Sequence, residues 1–156
     1  MQLSTQLRAL ASAVIALLIL GAASSVTAAS KPNPTINVSP SSGLTDGQPV
    51  QVSGQGWQEQ AIEIAECGGA DLAAHPSVGP VCTYFTYSVD VQSDADGNFS
   101  AVDFDVAATI VGTRYVHGNH PVTATYDCTA ANDCYIRAYS LTKATQSATA
   151  PISFAP

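Results

Sequence analysis

Positive charge is what this chain of 156 residues has least of: 5 Lys and Arg stand against 12 Asp and Glu. Beyond residue 28 the basic residues are Lys31, Arg114, Arg137 and Lys143, and four against twelve leaves a net charge of −8. Such a surface repels phosphate, so direct nucleic-acid binding is disfavoured, and so is adhesion to an anionic membrane. Catalytic signatures are missing as well. The chain contains neither HExxH nor the Gly-x-Ser-x-Gly turn that presents a nucleophilic serine. The three histidines, His75, His117 and His120, fall in predicted loops. His117-Gly118-Asn119-His120 offers two imidazoles to a metal ion, but a solvated loop is the favoured reading. We therefore expect no enzyme, no metal site and no tightly bound cofactor. Helical periodicity is also absent, since no segment outside the first 28 residues keeps a 3.6-residue repeat for three turns.

Long apolar runs are scarce, and the single one is at the start. Arg8 precedes Ala9–Leu20, which is short for a membrane span but of the right length for the apolar core of a secretory signal. Val26-Thr27-Ala28 and Thr27-Ala28-Ala29 are both small-residue cleavage sites, and the rival reading is an uncleaved anchor. No cysteine follows the apolar run to carry a lipid. The expected organisation is a signal peptide over 1–28, an arm over 29–34 with Pro32 and Pro34, and one domain over 35–156. The mature chain of roughly 127 residues is one domain in size and long enough to bury a core. It is expected to be secreted and monomeric.

All 4 cysteines, Cys67, Cys82, Cys128 and Cys134, lie in that domain. An even count in an exported chain points to disulfides, with three connectivities open, and neither local pair has close zinc-ligand spacing. Short alternating runs recur between Gly, Pro and Asp clusters, the pattern of an all-β sandwich. The predicted strands are Thr35–Ser39, Val50–Gly54, Ala61–Cys67, a long Thr83–Ser93 that bends or changes partner, Asn98–Val106, Val122–Cys128, Cys134–Leu141 and Ala150–Ala155. A change of phase between Phe99 and Val102 predicts a bulge. Thr45-Asp46-Gly47 and Asp94-Ala95-Asp96-Gly97-Asn98 read as hairpin turns. The acids of the second turn, with Asp105, have some of the spacing of a calcium loop, but Phe99 takes the place of its glycine. Asn37-Val38-Ser39 and Asn98-Phe99-Ser100 match the glycosylation sequon, a pattern common by chance.

Period two separates two faces of two strands. On the first, Glu63, Ala65 and Cys67 face away from inward Ile62 and Ile64. On the second, Tyr135, Arg137 and Tyr139 face away from Ile136 and Ala138. Both outer sets are expected to face solvent, with Glu63 and Arg137 able to pair.

The run Ser39-Pro40-Ser41-Ser42-Gly43-Leu44-Thr45-Asp46-Gly47, the strand Val50–Gly54, Gly56-Trp57 and Ala61–Cys67 together resemble the neocarzinostatin family. The likeness returns at Thr125–Cys134 and at Ala150–Phe154, extends over about 35–155, and is weak over 68–93 and 107–121. It implies an immunoglobulin-like antiparallel β-sandwich of about seven strands with two local disulfides, Cys67–Cys82 and Cys128–Cys134, each worth roughly 2–3 kcal/mol in the chain-entropy picture. It also implies a bacterial extracellular protein that sequesters an apolar enediyne chromophore in a cleft, the type of antitumour and antibacterial carrier in which the bound molecule attacks DNA. In the family the two outer faces line the cleft floor, with the longer disulfide at its base. The implied ligand-cleft residues are Glu63, Ala65, Tyr135, Arg137 and Tyr139, with Tyr115 and His117 on a rim loop over 113–118. Tyr135, Arg137 and Tyr139 are larger than the residues the carriers place there, and Gly69 stands where they have an aromatic. The three large side chains either fill the cleft or rebuild it as a polar-aromatic site. The alternative is a secreted or surface immunoglobulin-like module that binds a protein or glycan and holds no small molecule.

Overall fold

The alternation that marks β1 (Thr35–Ser39) and β2 (Pro49–Gln55) places Val38, Val50 and Val52 on one buried face, with polar neighbours outward. β2 is the centre of a three-stranded antiparallel sheet, β1-β2-β6, whose third member is β6 (Phe99–Asp105). The second sheet runs β10-β9-β3-β4-β7-β8, with β5 also paired to β3. Its strands are β3 (Ala61–Gly68), β4 (Val81–Cys82), β5 (Ser88–Gln92), β7 (Thr109–Val116), β8 (His120–Asp127), β9 (Cys134–Ser140) and β10 (Ser147–Ile152). These are seen in a computed structural model, which describes residues 33–69, 79–84, 86–116, 120–130, 133–143 and 145–156. Among those residues there are ten strands and no helix.

Two strands beyond the eight read from the sequence make the ten. The predicted Thr83–Ser93 strand is broken: Cys82 pairs with Cys67 and Thr113, while Ser88–Gln92 pairs with Ala61–Ala65. And β7 was not foreseen. The 113–118 segment expected as a rim loop is strand as far as Val116, and His120, also expected in a loop, opens β8. The core-facing phase of β7 reads Ile110, Gly112, Arg114, so apolar alternation is missing. Gly112 is required by contact, because a Cβ there would lie 2.1 Å from the Cys82 carbonyl oxygen. Val122, the first residue of the predicted Val122–Cys128 strand, is 41% exposed near the end of the β7–β8 ribbon.

The sheets enclose a core of Val38, Val50, Val52, Phe104 and Val106 from one side and Ile62, Ile64, Ile110, Ile136, Ala138 and Ile152 from the other. Trp57, fully buried, closes one end; its indole N–H donates to the Thr35 carbonyl at 3.3 Å and its ring lies 6.3 Å from Phe99. The predicted bulge is present: Val52 pairs with Val102 but Gly54 with Phe99, which leaves one extra residue on β6. The 94–98 turn forms, with the Asp94 side chain accepting from Asn98 N–H at 2.8 Å and Gly97 at φ 85°. It is not a hairpin, however. β5 belongs to one sheet and β6 to the other, so the turn carries the chain between them. Both disulfides join Cys67 to Cys82 and Cys128 to Cys134.

One core position departs from the apolar pattern. Glu66 continues the Ile62–Ile64 face and is 1% exposed. Its Oε2 accepts from Ala107 N–H at 2.8 Å, and Oε1 lies 4.0 Å from Cys128 Sγ. Burial pushes its pKa up from 4.5 to about 7; the Ala107 bond opposes this and the Asp46 carboxylate adds to it. The folded chain thus holds a proton that the unfolded chain releases near pH 4.5, and stability must fall as pH rises from about 4.5 to beyond 7. The expected loss across that window is roughly 3 kcal/mol. Urea titrations at pH 5 and pH 8 should show the parent weaker at pH 8 and the Glu66→Gln variant with most of that difference gone. Equal slopes for parent and variant would mean that Glu66 is not the group responsible.

Candidate functional site

The face of the larger sheet turned away from the core is built by register. β3 and β9 pair Glu63 with Tyr139, Ala65 with Arg137 and Cys67 with Tyr135. Cys82 on β4 lies opposite Cys67, and Thr113 on β7 lies opposite Cys82. The Cys67–Cys82 bridge therefore spans directly paired positions, with Cα atoms 4.1 Å apart, and forms the base of this face.

The expected grouping of Glu63, Ala65, Arg137 and Tyr139 is found, but the expected openness is not. Glu63 is 7% exposed, and Ala65 and Cys67 are fully buried. Tyr135, Arg137 and Tyr139 are half-buried. Much of the cover comes from Tyr84, in the turn after β4. Its ring meets Tyr139 edge-on at 5.0 Å and 82°, and its hydroxyl lies 3.7 Å from Cys67 Sγ. The sequence reading did not single out Tyr84, although period two from Cys82 points to it.

The phase of the two strands allowed Glu63 and Arg137 to pair. Glu63 instead accepts a hydrogen bond from the Tyr139 hydroxyl, and among the described residues the two form no ion pair. Among the described residues the buried Arg137 Nε has no hydrogen-bond partner. Burial pushes the Tyr84 phenol up to about 12, with Arg137 opposing that rise through its charge and a hydrogen bond. Tyr84 is therefore a neutral hydroxyl at any physiological pH.

Between Tyr84, Tyr115, Arg137 and Tyr139 lies a cavity of about 220 Å³. Tyr115, the expected rim residue, is 36% exposed and does line it, from β7 and not from a loop. His75, His117 and most of the 68–81 connection lie outside the described residues. A roomier hollow of about 330 Å³ runs over the other sheet between Thr35, Asn37, Ser53, Gln55 and Asn98. It is a polar surface groove with no cation or aromatic ring, so we take the tyrosine-lined cavity as the candidate site.

The Glu63–Tyr139 bond changes what replacement of Tyr139 should cost. The phase of β9 alone predicts that loss of this half-buried ring is cheap. The structure shows that the loss also strips a nearly buried carboxylate of its donor. Tyr139→Phe, which keeps the ring, should destabilise by about 1–3 kcal/mol in urea unfolding. Glu63→Gln paired with Tyr139→Phe should recover part of the loss. A Tyr139→Phe variant as stable as the parent would show that water satisfies Glu63 without help.

No curated protein is detectably similar to this chain in sequence. Solved structures with a similar fold include macromomycin and apokedarcidin. Macromomycin superimposes with a TM-score of 0.61 at 26% identity, covering 78% of this chain and 99% of its own. Apokedarcidin gives a TM-score of 0.55, also at 26% identity, covering 79% of this chain and 99% of its own. The sequence model of the neocarzinostatin family matches residues 36–154, from the middle of β1 to Phe154 and across the whole of the cleft floor, and the chain belongs to the neocarzinostatin family.

Proposed function

We propose that this protein is a secreted carrier that holds a small molecule non-covalently in the cleft over the Cys67–Cys82 bridge. The observation that carries the reading is the cavity between Tyr84, Tyr115, Arg137 and Tyr139, set on the floor formed by β3 and β9 in a chain of this family. The role of the protein is binding: rings and one cation line the cavity, and Cys67 and Cys82 are joined as a disulfide and so unavailable as nucleophiles. Any reactivity towards DNA would belong to the bound molecule, since a polypeptide of net charge −8 beyond residue 28 has nothing to offer phosphate. Two disulfides and the signal-like N-terminus support export. The similarity to macromomycin and apokedarcidin supports a small-molecule cargo.

Protein isolated from its own host should show a second species in native mass spectrometry, heavier than the polypeptide and lost on denaturation. It should also absorb above 300 nm, where the polypeptide does not. Protein that carries only its own mass, and that takes up no small aromatic molecule when challenged, would favour an immunoglobulin-like module that recognises a protein or glycan.

A further inference from the structure

We infer that the cleft selects a small anionic aromatic molecule, a single planar ring bearing a carboxylate or comparably acidic oxygen, with Arg137 as the residue that reads the charge. This rests on the carrier reading above and narrows it.

Three observations converge. The first is size. The cavity, about 220 Å³, falls below the roughly 300–1,000 Å³ usual for drug-sized ligands. One ring with short substituents fits within it; a fused polycycle would extend beyond it unless Tyr84 moves. The second is the wall. Tyr84 and Tyr139 stand edge to face, and Tyr115 forms the partly exposed rim, so a planar guest meets aromatic surface on several sides.

The third is charge. Arg137 extends from the floor, where its partner on β3, Ala65, offers only a methyl group and its partner on β10, Thr149, offers no charge. Among the described residues Glu63 is the buried carboxylate on that face, and it is already engaged by the Tyr139 hydroxyl. Asp90, opposite Glu63 on β5, is exposed. The guanidinium faces the hydroxyl of Tyr84, a neutral group, and among the described residues its buried Nε has no acceptor. A guanidinium held in this state lacks the one partner its planar fork suits best, a carboxylate accepting two parallel N–H bonds. A guest carboxylate would supply it, with its ring against the tyrosines. A neutral apolar guest would leave the charge uncompensated in a drier site, which penalises the ligand class that the family resemblance alone suggests.

Calorimetric titration of the purified protein tests this with matched probes: 4-hydroxybenzoate, its neutral isostere 4-hydroxybenzamide, and the uncharged polycyclic dye Nile red. We expect the acid to bind at least tenfold more tightly than the amide. Arg137→Gln should bring the two together, and Arg137→Lys should keep part of the preference. Thermal unfolding would confirm that each variant is folded, and if neither folds, the comparison of acid with amide on the parent decides alone. Equal affinity for acid and amide, or tight Nile red binding without acid binding, would overturn the charge selection and leave the carrier reading intact. Binding of none of the three at millimolar concentration would overturn both.

Discussion

Burial of β3 on both faces is the constraint on which the rest of this structure depends. A strand in an antiparallel sandwich usually shows one face to the core and the other to water. Here every residue from Ile62 to Gly68 is buried. Ile62 and Ile64 pack between the sheets, while Glu63, Ala65 and Cys67 form the floor of the cleft. β9, β4 and β5 hydrogen-bond to the same strand, so core and cleft share one backbone. A shift of register by one residue would turn the cleft floor into core and the isoleucines into cleft. The cross-strand bridge from Cys67 to Cys82 ties down the end of β3 where that register is set.

Two glutamates on adjacent phases of this strand show how burial is reconciled with charge. Glu63 keeps a hydroxyl donor from the neighbouring strand. Glu66, deeper and close to the second disulfide, takes one backbone N–H and holds its proton up to about pH 7. The same side chain thus serves on one face as an oriented acceptor in the cleft and on the other as a carboxyl that is half protonated near neutrality. Position alone separates them.

The cleft differs from an open groove through the bulk placed over this floor. Tyr139 and Arg137 rise from β9, Tyr84 comes over from the turn after β4, and Tyr115 closes the side from β7. What is left is a cavity of about 220 Å³ with one cation among its described lining residues. Fold and register set where this candidate site lies, and the side chains of these four residues bound it.

Much of this could be read from residues in order. Val38, Val50, Val52, Ile62, Ile64, Ile136 and Ala138 announce their burial by alternation, because each strand repeats every two residues. The phase change between Phe99 and Val102 announces the bulge for the same reason, and the likeness to the family implied both disulfide pairings. Three things were decided only in three dimensions. β7 escaped notice because its inward phase carries Gly112, which suits the close approach of β4, and then Arg114, so no apolar alternation marks it. The 94–98 turn is clear as a turn, yet nothing local says that its flanking strands join different sheets. And Glu63 was assigned to solvent by its phase, when Tyr139 and Tyr84, distant in sequence, converge on that face and bury it. Periodicity reports which side of a strand a residue occupies; what lies on that side depends on partners brought there by the fold.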